Sequence, residues 1–194
     1  MLFQPCQRST IVPARHPRRL APLPDKEWDD RARAAVTALL PPERANARDA
    51  GNILATMVRH PDLTRAYLKF NAYLLIDSTL SAPVREVALL RIVHLRGCDY
   101  LWSHHVPLAG RAGLTASEID AIRHGEVTDD QDRVVVRAVD ELNENSTISD
   151  MTWAELGRHF DDRQRMDLVF TAGGYCLLAI AVNTFGIEDH DPDG

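Results

Sequence analysis

Residues 84–105 read Val84-Arg-Glu86-Val-Ala-Leu-Leu-Arg91-Ile-Val-His-Leu-Arg-Gly97-Cys98-Asp-Tyr100-Leu101-Trp102-Ser-His104-His105. Two consecutive helices account for them. At about 100° per residue, Leu89, Leu90, Val93 and Gly97 form one apolar stripe, with Glu86 in its middle and Arg85 and Arg96 to one side. An ionised carboxylate is costly to bury alone, so Glu86 is expected either to have a partner or to have a raised pKa. Cys98 precedes or starts the next helix. On that wheel Cys98, Trp102, His105 and Ala109 fall within about 60° of one another, while Asp99, Ser103, His104 and Arg111 take the opposite side. His105 is therefore expected to turn inward and His104 outward. The positive end of the helix and a protonated His105 would both favour a Cys98 thiolate. Pro107 removes a backbone donor just past His105. Each residue also has a plain reading: Glu86 as a structural ion pair, His105 as a satisfied core histidine, Cys98 as a small buried hydrophobe.

Working outward, helical periodicity recurs from residue 25 to the C-terminal end, and no segment alternates as a strand would. Asp25 is read as the cap of a helix carrying Trp28, Ala32, Val36 and Leu39, which stops at Pro41-Pro42. A second helix spans about Asn46 to His60. A third follows Pro61 and carries Leu63, Tyr67, Phe70, Leu74 and Leu75. Ser81-Ala-Pro83 opens the helix that bears Glu86, and Asp99 opens the one that bears His105. Two capping boxes follow, Thr115-Ala-Ser-Glu118 and Thr128-Asp-Asp-Gln131. A short helix starts at Asp150, and Asp161 or Asp162 caps the last and most apolar one. The expectation is an all-α, single-domain bundle of eight or nine helices over residues 23–188. It follows a flexible or strap-like N-terminal arm (1–22) and precedes a polar tail (189–194).

The chain has 194 residues, 45% hydrophobic and 26% charged, enough for one sizeable core. A formal net charge of −6 argues against nucleic acid as a partner. Arg8, Arg15, Arg18 and Arg19 nevertheless cluster in the arm, which lacks the apolar run of a secretory signal. Cys6, Cys98 and Cys176 are odd in number and widely spaced, which points to a reducing, cytoplasmic setting. The apolar stretch Leu168–Val182 falls short of the roughly 20 residues of a membrane span and is interrupted by Gly173 and Gly174, so no membrane partner is expected. No metal is expected. His104 and His105 point apart on their helix, and His60, His94, His124 and His159 lack ligand spacing.

The run Arg85–Arg91, the Tyr100-x-Trp102-x-x-His105 stretch and the Gly113-Leu-Thr-Ala-Ser-Glu-Ile119 helix start together resemble the signature of the carboxymuconolactone decarboxylase / alkyl hydroperoxidase D-like family. The likeness runs over roughly residues 20–188. It implies that family's helical fold, a homo-oligomer (trimer, dimer or hexamer), and a catalytic set of Glu86, Cys98 and His105. In the hydroperoxidase-like branch the family pattern is Glu, then Cys-x-x-Cys-x-x-x-His. Here Leu101 stands where the second cysteine would be and Tyr100 where a histidine is often found, so no disulfide of that kind can form. The decarboxylase branch implies cofactor-free acid–base chemistry on a small-molecule substrate. His105 would then be the acid/base, Glu86 its orienting partner, and Trp102, Leu101, Tyr100 and Arg91 the substrate-binding residues. The alternatives are thiol peroxidase chemistry at Cys98 and a non-catalytic binding or assembly role.

Overall fold

The helix that carries Glu86 is the axis of the molecule. Residues 17–189 are described here, from a computed structural model. Among them lie nine α-helices and no strand: α1 Asp30–Ala35, α2 Ala47–Met57, α3 Pro61–Ala72, α4 Ala82–Leu95, α5 Asp99–Arg111, α6 Ala116–His124, α7 Asp130–Asn145, α8 Asp150–Leu156 and α9 Asp162–Phe185. α4 packs against α5, α6, α7 and α9. Val87, Ala88, Leu89, Leu90 and Val93 are fully buried. A helix with apolar residues on nearly every side is expected to be enclosed on nearly every side, and this one is.

A second, smaller core gathers Trp28, Ala32, Val36, Ala45, Ala55, Val58 and Leu68 around α1, α2 and α3. Here local structure departs from the sequence reading. Asp25 opens a short 3₁₀ turn, Asp25–Glu27, and Asp29 caps α1 by accepting from the Ala32 amide. The Asp25 carboxylate instead accepts from the Ala47 amide and pairs with Arg33, tying α1 to α2. α2 is capped by Asn46 and broken at Gly51, whose φ of 67° lies where glycine is favoured. α3 passes into a π-helical turn, Tyr73–Asp77. Leu63, read as part of its apolar stripe, is exposed, and the inward residues are Thr64, Leu68, Asn71 and Leu74.

The Thr115 capping box forms with Glu118, and Asp161 caps α9 in a second box with Gln164. The box expected at Thr128 does not form: Asp129, one residue later, accepts from the Gln131 and Asp132 amides. The arm expected over residues 1–22 lies outside the described residues up to residue 16, with Cys6, Arg8 and Arg15. The amides of Arg19 and Leu20 bond to the Phe185 carbonyl at the end of α9. The tail beyond residue 189 also lies outside the described residues.

Candidate active site

α4 and α5 cross so that Glu86 and His105 meet. His105 Nδ1 lies 3.0 Å from Glu86 Oε2, and the two residues are only 8% and 3% exposed. With a carboxylate as partner the shared proton sits on Nδ1, which orients the ring and leaves Nε2 for the surroundings. The requirement that Glu86 be paired is met by this contact.

His105 borders a half-open cavity of about 350 Å³ lined mainly by α2, α3, α5 and α9. Its walls are largely apolar, with Ile53, Leu54, Met57, Leu101 and Leu178 among them. The polar groups come from four helices, with Asp49 supplied by α2. Tyr175 of α9 meets the His105 ring edge-on, with ring centroids 5.3 Å apart. Burial, followed by the nearby Glu86 charge, drives the Tyr175 hydroxyl well above the usual phenol range, so it stays protonated. Asn71 of α3 is buried between Tyr175 and Tyr67, and its Nδ2 lies 3.5 Å from the Tyr67 hydroxyl. Burial raises Tyr67 as well. Leu101 and Tyr100 both border the cavity. The Tyr100 ring stacks on that of outward-turned His104 at 4.3 Å, and burial, then Asp189, pushes its phenol up to about 12.

Three of the seven residues singled out in the sequence stand elsewhere. Cys98 lies two turns before His105, about 10 Å along α5, and is not part of the cavity wall. It is 1% exposed within the main core. Burial pushes its thiol up to about 11, the opposite of the thiolate expected from the helix end. Trp102 walls a different hollow, of about 390 Å³, between α5 and α6. There the Arg123 guanidinium lies 4.5 Å over its ring and His94 meets it edge-on. Arg91 is committed to structure: its Nε and Nη2 donate to the two oxygens of Asp140 at 2.6 and 3.0 Å, and its Nη1 donates to the carbonyls of Ile122 and Arg123. It thereby ties α4 to α6 and α7.

The sequence reading passed over Tyr175 and Asn71 and took Tyr67 only as an apolar stripe member. The available signals were a phenol in the charge-free stretch 168–184 of the last helix and a Tyr67/Asn71 pair one turn apart. Among the described residues no group of three His, Cys, Asp or Glu side chains converges as metal ligands would.

The comparisons with known proteins converge on a helical bundle of this kind. Residues 61–144, the segment that carries Glu86, Cys98 and His105, match the model of the carboxymuconolactone decarboxylase family. The fold resembles an alkylhydroperoxidase AhpD core, an uncharacterized peroxidase-related protein from Ralstonia eutropha JMP134. That match has a TM-score of 0.72 at 18% identity and covers 91% of this chain and 94% of the other. It also resembles the debrominase Bmp8 (TM-score 0.71, 12% identity, 88% and 91% covered). A third likeness is to an Agrobacterium tumefaciens protein of unknown function described as a putative antioxidant defence protein (TM-score 0.59, 19% identity, 69% and 94% covered). At these identities the likeness establishes the fold alone. No curated protein matches the sequence.

Proposed function

We propose that the protein is a cofactor-free acid–base enzyme acting on a small enolisable carbonyl compound, lactone or organic acid, by isomerisation or decarboxylation. The observation that carries this reading is the buried 3.0 Å Glu86–His105 contact at the edge of a largely apolar cavity. In an isomerisation, His105 Nε2 takes the proton from the carbon next to the carbonyl. The electron pair moves onto the carbonyl oxygen as an enolate, and the imidazolium returns the proton to a different carbon. In a decarboxylation the bond to the departing carbon dioxide supplies that electron pair, and a protonated His105 delivers the proton. Glu86 stabilises the imidazolium and fixes the ring. Tyr175, which keeps its proton, can donate to the developing oxyanion.

Thiol peroxidase chemistry would need an accessible, readily ionised Cys98, and Cys98 is neither. A reducing, cytoplasmic setting suits the acid–base reading, since Cys98 and Cys176 are both free. His105→Gln should abolish turnover while helix content measured by circular dichroism stays at the wild-type value. Unchanged turnover would remove the mechanism.

A further inference from the structure

The charges around the His105 cavity limit what can enter it. Its volume of about 350 Å³ lies near the lower end of the range for small-ligand pockets. Hydrocarbon makes up most of the wall, with Ile53, Leu54, Met57, Leu68, Leu101 and Leu178 among the side chains. The other ionisable groups on it are few. Asp49, at the exposed edge, is held ionised by the Asn46 side-chain amide and by Arg44. His104 engages the Tyr100 carbonyl through Nδ1 at 2.8 Å and Asp189 through Nε2 at 3.2 Å. Tyr67, Tyr100 and Tyr175 are phenols that burial keeps protonated. Among the described residues no Lys or Arg lines the cavity. Arg44 faces Asp49 at 3.4 Å, and Arg85, whose charge reaches Tyr175, is not in the wall. Besides His104, whose partner is Asp189, the fixed charge beside the cavity is therefore negative: Glu86, 3% exposed, and Asp49.

The polar groups of the interior are neutral and set as donors. Asn71, 5% exposed, bonds both phenols, its Nδ2 reaching the Tyr67 hydroxyl at 3.5 Å. An amide that donates to two hydroxyls leaves each hydroxyl its own proton to give. Two O–H donors beside a proton-transfer base suit a carbonyl oxygen and the enolate it becomes. That enolate forms together with the His105 imidazolium, so proton transfer leaves the net charge of the hollow unchanged. A carboxylate brings its charge in from outside. It would lose its water against hydrocarbon, beside a buried carboxylate, and gain no cation in return.

We infer that the site takes an uncharged, largely hydrocarbon carbonyl compound, a ketone or ester rather than a carboxylate, with its oxygen facing the Tyr175 and Tyr67 hydroxyls and its acidic C–H toward His105 Nε2. The inference rests on the acid–base reading of the cavity and narrows it. Proton transfer between carbons fits, and decarboxylation, whose substrate is an anion, does not.

The test compares three probes of similar shape by ligand-observed NMR titration of the full chain at pH 7: cyclohexyl methyl ketone, cyclohexanecarboxamide and cyclohexanecarboxylate. Binding is read without turnover, in the wild type and in His105→Gln. The two neutral probes should bind both proteins at millimolar concentration or below, and the carboxylate at least tenfold more weakly. Lowering the pH through the carboxyl's own pKa of roughly 4–5 should bring that probe to the affinity of the amide. Tyr175→Phe and Tyr67→Phe, made separately, should each weaken the ketone about threefold to tenfold with unchanged circular dichroism. A carboxylate that binds the wild type as tightly as the ketone does would overturn the inference. So would failure of both neutral probes to bind, or unchanged ketone affinity in both phenylalanine variants. The expected binding pattern with no turnover of any ketone or ester would support this inference and remove the acid–base reading alone.

Discussion

At the scale of the residue, the Glu86–His105 contact decides what the cavity can do. Glu86→Gln keeps the shape and removes the charge, so it should weaken His105 as a base without abolishing it. We expect a loss of about tenfold to a hundredfold in kcat, against the roughly hundredfold or greater loss expected for His105→Gln. Steady-state kinetics on one substrate ranks the two. The Cys98 thiol binds its proton more tightly in the fold than in the unfolded chain. Its contribution to stability is therefore complete below the ordinary value of 9.0 and is lost as pH rises through about 11. Cys98→Ala should flatten the fall in Tm across that window, and iodoacetamide should modify the native wild-type thiol far more slowly than that of the denatured chain. Arg91, the expected substrate ligand, is a clamp instead. Arg91→Met should cost about 2–4 kcal/mol of stability, because it strands half-buried Asp140 and two carbonyls. Chemical denaturation measures it, and an unchanged midpoint would restore the substrate role.

At the scale of the element, the junction between α3, its π-helical turn and α9 fixes where Tyr175 and Asn71 sit. Asp167 holds it together, accepting from the Thr79 amide and hydroxyl, the Tyr73 hydroxyl and the Ser78 hydroxyl. Burial alone would raise its carboxyl, but these hydrogen bonds outweigh burial and hold it below the usual range. Its stabilisation is therefore present above the ordinary value of 3.8 and lost as pH falls below it. Asp167→Ala should cost about 2–4 kcal/mol by thermal unfolding at pH 7, and less as the solution is acidified toward pH 3. Helix limits were legible where a cap had no competitor, as at Thr115 and Asn46. They slipped where acidic residues crowd together. Asp25, Asp29 and Asp30 all fit a cap by type, as do Thr128, Asp129 and Asp130, and only the folded backbone picks one.

At the scale of the whole molecule, the all-helical architecture could be read because its periodicities and breaks are local properties of the chain. Glu86 and His105 were also readable, because they lie on adjacent helices joined by a short turn. The rest of the cavity was not. Tyr67, Asn71 and Tyr175 come from helices before and after the motif, and a single helical wheel carries no information about which distant helix packs on it. The placing of Cys98 failed for a related reason. Seven residues bring a side chain back to the same face but two turns along, so a shared direction was not a shared hollow. The same limit applied to Trp102, which shares that direction yet opens onto the hollow against α6.

Proton transfer by His105 to and from carbon is the centre of the account, and isotope exchange observes it without requiring the physiological substrate. The full chain would be incubated in D₂O with small ketones, keto acids and lactones, and loss of the proton signal next to the carbonyl followed by NMR. The account predicts catalysed exchange for at least one compound, reduced about a hundredfold or more in folded His105→Gln and retained in Cys98→Ser. Exchange that survives in His105→Gln, or that disappears in Cys98→Ser, would contradict it.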